Sequence, residues 1–176
     1  YHYGEPRTIG LHLPAGLRAR YDVFMGEDGF LDFMPGHDVH EGSWPVGAFM
    51  VQAHPVTHAQ NSHAYRVTDP ADPHGPGLVY SGDCGRADDL LPLIRAGDTV
   101  LCEAFWSTRE PIPSANHLSA EQAADVARRG GAAHLLLTHI LESYDPQAAL
   151  TAAKAIFPGP VQLAEPEMVV TIGEAR

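Results

Sequence analysis

Leu78-Val79-Tyr80-Ser81-Gly82-Asp83-Cys84-Gly85 is the stretch from which the fold can be read. Three residues suited to a buried strand run into Ser-Gly, then into a carboxylate, then into another Gly. A strand buried on both faces tolerates no unpaired charge, so Asp83 belongs just past the strand's end, where the backbone turns. The design recurs in Leu135-Leu136-Leu137-Thr138-His139, where an apolar run ends in an imidazole. Earlier, Phe49-Met50-Val51-Gln52-Ala53 leads into His54-Pro55-Val56-Thr57-His58. Three apolar runs thus deliver His, Asp and His toward what can be one edge of one sheet.

Working outward, the coarse order of elements fits that reading. From Gly77 onward the chain alternates strand and helix. The spacing predicts strands at Gly77–Ser81, Asp98–Ala104, Ala133–Thr138, Val161–Ala164 and Met168–Ile172. Apolar residues at 87, 90, 91 and 94 predict a helix over Ala87–Arg95, ended by Gly97. Ser119-Ala120-Glu121-Gln122 is a capping box opening a helix that runs to Arg129. Asp145-Pro146 opens another, with Asp as N-cap and Pro in the first turn. Upstream, Ala48–Ala53 and His63–Val67 read as strands, Asp69–Pro76 as a turn, and Arg109–Asn116 as a loop with two prolines. Residues 1–45 are the least regular, broken by many Gly and Pro. They are expected to carry short strands at Thr8–His12 and Phe30–Met34 and a helix over Ala15–Val23 led by Pro14. Residues 46–176 are expected to be the regular α/β part of a single domain spanning 1–176.

Composition narrows the function classes. With 176 residues, 44% hydrophobic and 19% charged, the chain suits one globular core. No run approaches the roughly 18 apolar residues of a membrane span. The first residues, Tyr1–Arg7, lack the apolar segment of a signal peptide. Two cysteines, Cys84 and Cys102, make no disulfide framework; reduced thiols and a cytoplasmic setting are expected. A formal charge of −11 disfavours broad contact with nucleic acid but leaves room for a small anionic substrate held by a metal.

The candidate site collects where strands end. Asp83, Glu103 and His139 share a neighbourhood if their strands are neighbours. His58 joins from its loop, with His54 and His63 as alternatives in its place, and His117 joins from the segment before the capped helix. Carboxylate plus imidazoles suits Zn, Mn or Fe. Glu103 reads as a supporting group rather than a ligand, and Cys84 as a small packed residue in preference to a thiolate. Arg66 and Arg109 read as surface arginines, with a substrate anion as the other possible partner. His37-Asp38-Val39-His40 offers a second pair of histidines in an expected loop.

Ser81-Gly82-Asp83, the strand with Glu103, His117-Leu118-Ser119-Ala120-Glu121-Gln122-Ala123-Ala124 and Leu135-Leu136-Leu137-Thr138-His139 occur in that order. His58 precedes Ala64-Tyr65-Arg66-Val67. Together these segments resemble the C-terminal half of the metallo-β-lactamase fold, in the branch that includes ribonuclease Z and its phosphodiesterase relatives. The resemblance covers about Ala48 to Ile172. It implies a four-layer αββα sandwich, of which this chain supplies the second half and part of the first. It implies two ions, zinc by default, and hydrolysis of a phosphodiester or other ester by hydroxide held on the metal. Asp83 resembles the carboxylate bridging the ions. His58 resembles a ligand of one ion and His139 of the other, and His117 the histidine that steadies the scissile group or protonates the leaving group. The family's His-x-His-x-Asp-His motif is absent from this chain. The expectation is therefore that the motif lies on a missing N-terminal segment, and that the 176 residues alone are inactive. The alternative is a degenerate, non-catalytic binding or assembly module. Either way an apolar sheet face would be left over, for self-association or for pairing with the missing segment.

Overall fold

The computed structural model describes residues 10–39, 42–110 and 116–173. The chain divides after His40 into two compact units. In the first, strand β1 (Leu11–Pro14), helix α1 (Leu17–Met25) and strand β2 (Gly36–Val39) follow one another, and the two strands pair in parallel. Pro14 ends β1 rather than opening the helix expected over Ala15–Val23. Gly16, at φ 79°, turns the chain first, and α1 stops at Gly26, at φ 69°. Phe30–Met34 is a run of turns, not the expected strand. Asp32 N–H donates to the Gly29 carbonyl and Met34 N–H to that of Leu31, and the Arg18 guanidinium donates to the carbonyls of Leu31 (2.8 Å) and Met34 (2.6 Å). The strand comes later, at β2, so the expected loop around His37 is extended backbone; His40 lies outside the described residues.

The second unit is built on one sheet whose strands lie side by side in sequence order. They are β3 (Gly42–Val46), β4 (Phe49–Pro55), β5 (His63–Thr68), β6 (Leu78–Tyr80), β7 (Thr99–Glu103), β8 (His134–Thr138) and β9 (Val161–Leu163). Pairing is antiparallel from β3 to β6 and parallel from β6 to β9. The crossovers of the parallel part carry helices α2 (Ala120–Gly130) and α3 (Pro146–Ile156). Strands added in one direction with right-handed crossovers put both helices on the same face. Val79, Val100, Leu135, Leu137 and Val161 meet Ala123, Ala124, Val126, Ala127, Ala149 and Ala153 there. Small alanines let the helices approach the sheet closely, and the chain has the α/β class expected of it.

Three expectations need correcting. The helix over Ala87–Arg95 is only a 3-10 turn, Ala87–Leu90. Pro92 has no N–H to continue an α-helical ladder, yet Leu90, Leu93 and Ile94 are still buried. Met168–Ile172 forms no strand: the chain leaves β9 through a turn in which Met168 N–H donates to the Glu165 carbonyl, and Val169 is 93% exposed. Arg66 is not a surface residue. It is buried on β5 and grips Asp98 twice (Nε–Oδ2 2.9 Å, Nη2–Oδ1 2.8 Å), while Asp98 also accepts from the N–H groups of Gly77 and Arg95. The strand β3 was not expected. Gly47, at φ 57°, and Ala48 make a two-residue hairpin that pairs Val46 with Phe49, and Pro45 is tolerated because β3 is an edge strand.

Candidate metal centre

Parallel strands bring their C-terminal ends to one edge, and β6, β7 and β8 close there with Tyr80, Glu103 and Thr138. β5 runs antiparallel to β6, so the loop that precedes it, with His58, comes to the same edge. The segment entering α2 is tied there by two backbone bonds, Trp106 N–H to the Leu118 carbonyl (3.1 Å) and Ala120 N–H to that of Ser107 (2.8 Å). The capping box expected at Ser119 and Gln122 is formed, and it fixes where α2 starts, its N-cap two residues after His117. Arg109–Asn116 connects these pieces; 111–115 lie outside the described residues.

Asp83 stands at the centre of the edge. Its Oδ1 is 3.0 Å from His139 Nδ1 and its Oδ2 is 3.6 Å from His58 Nε2. Gly82, at φ 56°, makes the turn that delivers it; a Cβ at that position would lie 3.0 Å from the His63 carbonyl. His139 follows β8 with φ 52°, a left-handed conformation uncommon outside glycine, and this turns it off the line of the strand. Of the alternatives to His58, His54 sits within β4 opposite Ala64. His63 opens β5 with its Nδ1 on the Asn61 carbonyl.

Behind this row, Glu103 is almost fully buried, and its carboxylate accepts the N–H groups of Cys84 (2.5 Å) and Leu118 (3.1 Å). It faces His117 Nδ1 at 3.0 and 3.2 Å. A carboxylate only accepts, so Nδ1 carries the hydrogen and Nε2 is turned outward. Phe105 stacks on the His117 ring at 4.3 Å and 18°, and the His139 ring lies 5.3 Å from that of His117. Asn116, not singled out in the sequence, bonds His58 with both its carbonyl and its side-chain amide. The cue was there: Asn accepts the left-handed φ of 50° found at that position. Burial pushes the Cys84 thiol up to about 12, so it is a packed thiol and not a thiolate. Arg109 lies over the Tyr144 ring at 5.6 Å.

The donor set fits a divalent transition metal. One ligand atom from each of Asp83, Glu103, His117 and His139 lies within 4.8 Å of the others. Carboxylate oxygens and imidazole nitrogens are the mixture that zinc, manganese and iron accept. Asp83 and His139 are the open side of the group, with side chains 44% and 42% exposed.

The sequence model described as "Beta-lactamase superfamily domain" matches residues 12–140. An uncharacterized protein of Mycobacterium tuberculosis is 41% identical over 128 residues, covering 70% of this chain and 46% of that protein. Ribonuclease Z of a Bradyrhizobium strain is 31% identical over 121 residues, covering 65% of this chain and 39% of its own length. The crystal structure of the metallo-beta-lactamase fold protein YhfI from Bacillus subtilis superposes with a TM-score of 0.76 at 21% identity, over 90% of this chain and 63% of that one. The chain spans less than half the length of these two curated relatives.

Proposed function

We propose that this chain, which belongs to the beta-lactamase superfamily, contributes His58, Asp83, His117 and His139 to the active centre of a metal-dependent hydrolase acting on a phosphodiester or another ester. The placement of Asp83 between two imidazoles, 3.0 Å from His139 and 3.6 Å from His58, with His117 in the same cluster, carries this reading. With metal bound, Asp83 would be the carboxylate that holds it, and His139 and His58, on either side of Asp83, would be the imidazole ligands. Zinc is the default, and manganese or iron suits the same donors. A bound divalent cation supplies Lewis acidity toward the scissile group and lowers the pKa of water beside it.

The chain's own residues supply the rest. Glu103 holds the hydrogen on His117 Nδ1, and the Phe105 face fixes the plane of that ring. His117 Nε2 is thereby aimed outward, where it steadies the scissile group and passes a proton to the leaving oxygen. A chain with formal charge −11 suits a small ester or phosphodiester better than an RNA surface, although a ribonuclease Z is among its relatives. The two buried cysteines suit a cytoplasmic setting, and among the described residues no helix is long and apolar enough to cross a membrane.

The test pairs metal analysis with hydrolysis of bis(p-nitrophenyl) phosphate by the full-length protein. Asp83→Ala is expected to lose bound metal. His117→Ala is expected to keep metal and lose about 10²–10⁴-fold in kcat. Full metal content in Asp83→Ala would overturn the proposal. The second reading, a non-catalytic binding or assembly module, is favoured by the partly exposed apolar sheet face with Phe49 and Tyr80. It predicts metal retained with no hydrolysis of any ester.

A further inference from the structure

His58 is held by two reciprocal hydrogen bonds. Its Nδ1 lies 2.9 Å from the Asn116 carbonyl oxygen, and the Asn116 side-chain amide donates to the His58 carbonyl at 3.1 Å. A carbonyl oxygen accepts and never donates, so the hydrogen must sit on His58 Nδ1. In the other tautomer two lone pairs would face each other at 2.9 Å. In the neutral ring the far nitrogen, Nε2, is then a bare lone pair 3.6 Å from the Asp83 carboxylate. That separation is too long for a direct hydrogen bond, and both atoms accept. Two acceptors turned toward a common point are what a cation between them requires.

Asn116 is itself held from outside. Its backbone sits at φ 50°, where Asn is tolerated better than most residues. Gly85 packs directly on it: a Cβ at position 85 would lie 2.5 Å from Asn116 Cα. Gly85 N–H also donates to the Thr57 carbonyl at 2.6 Å, next to His58 in the chain. Three segments distant in sequence therefore interlock, and the contacts close on one imidazole.

We infer that Asn116 is a positioning residue, one that fixes His58 in the tautomer with its proton on Nδ1 and so presents Nε2 toward Asp83. The consequence for metal binding rests on the assignment of His58 to the metal centre made above; the tautomer does not. An imidazole whose second nitrogen is held by a carbonyl is oriented before any ion arrives, and removing such support weakens metal binding.

The experiment is a long-range proton–nitrogen correlation spectrum of the metal-free chain, labelled at histidine nitrogen and recorded at alkaline pH, where imidazoles are neutral. His58 is expected to show a protonated Nδ1 and an unprotonated Nε2. Asn116→Gly keeps the left-handed backbone but removes the amide donor. Gly85→Ala drives a methyl group into the Asn116 backbone while leaving the His58 and Asp83 side chains unsubstituted. Both are expected to move His58 toward the Nε2-protonated form. Competition titration with Zn²⁺ is expected to show about 10–100-fold weaker binding in Asn116→Gly. A wild-type spectrum with the proton on Nε2 overturns the inference by itself, even if neither variant folds. So does an unchanged tautomer in two folded variants. A changed tautomer with unchanged Zn²⁺ affinity upholds the role of Asn116 and removes His58 from the metal centre.

Discussion

At the scale of single residues, Glu103 does the most to hold the site together. Its buried carboxylate takes the N–H groups of Cys84 and Leu118 and orients His117, so one side chain joins the ends of β6 and β7 to the entrance of α2. Glu103→Gln puts an amide NH₂ against a donor, and each buried group left without a partner costs about 1–3 kcal/mol. Urea unfolding should show a lower midpoint with an unchanged m-value. Asp98→Ala strands the buried Arg66 guanidinium and is expected to cost about 3–5 kcal/mol by the same measurement. Cys84 makes a prediction about alkaline pH. Its thiol is pushed from about 9 up to about 12 by burial. In that window the unfolded chain releases the proton and the folded chain keeps it, so stability falls as pH rises from about 9 toward 12. A denaturation series across that range that shows rising stability would contradict the assignment of Cys84 to the core. Asp83 and His139 were legible because a polar residue after an apolar run can only sit at a strand's end. Arg66 was not, because its partner Asp98 is 32 residues away and nothing local in the sequence announces it.

At the scale of elements, local chemistry was readable wherever hydrogen bonds stay within a few residues. Ser119 accepts from Gln122 N–H and the Gln122 side chain reaches back to Ser119 N–H, as the sequence implied; Asp145 caps α3 by accepting from Gln147 N–H alone. Ser119→Ala is expected to lower stability by about 1 kcal/mol, seen as a drop in Tm. Because the N-cap of α2 lies two residues after His117, the same substitution should broaden the His117 amide resonance. Elsewhere apolar spacing misled. Leu90, Leu91 and Ile94 have helical spacing, yet Pro92 leaves only a single 3-10 turn. Phe30–Met34 has a strand's composition, but the Arg18 guanidinium reaches back to two of its carbonyls and holds it as turns. Ser43-Trp44-Pro45-Val46 looked irregular because Gly42 and Gly47 flank it and Pro45 interrupts it, and only an edge position makes it a strand.

At the scale of the whole molecule, the second unit is a sheet with helices on one face. The register places Val51, Tyr65, Val67, Leu78, Tyr80 and Leu101 together on the other face. Phe49 and Tyr80 are 56% and 43% exposed. An apolar face of that kind favours association, so the chain at tens of micromolar is expected to sediment heavier than a monomer, and Phe49→Lys is expected to shift it toward one. A monomer at every concentration would contradict that expectation. The central claim concerns the opposite feature, the polar edge where the loop carrying His58 meets the ends of β6, β7 and β8. Its most direct test is an anomalous-difference map at the zinc absorption edge from crystals of the protein grown with Zn²⁺. The account predicts a peak bonded to Asp83, with His139 or His58 at about 2.0–2.1 Å from the ion. A map with its strongest peaks elsewhere and none touching Asp83 would contradict it.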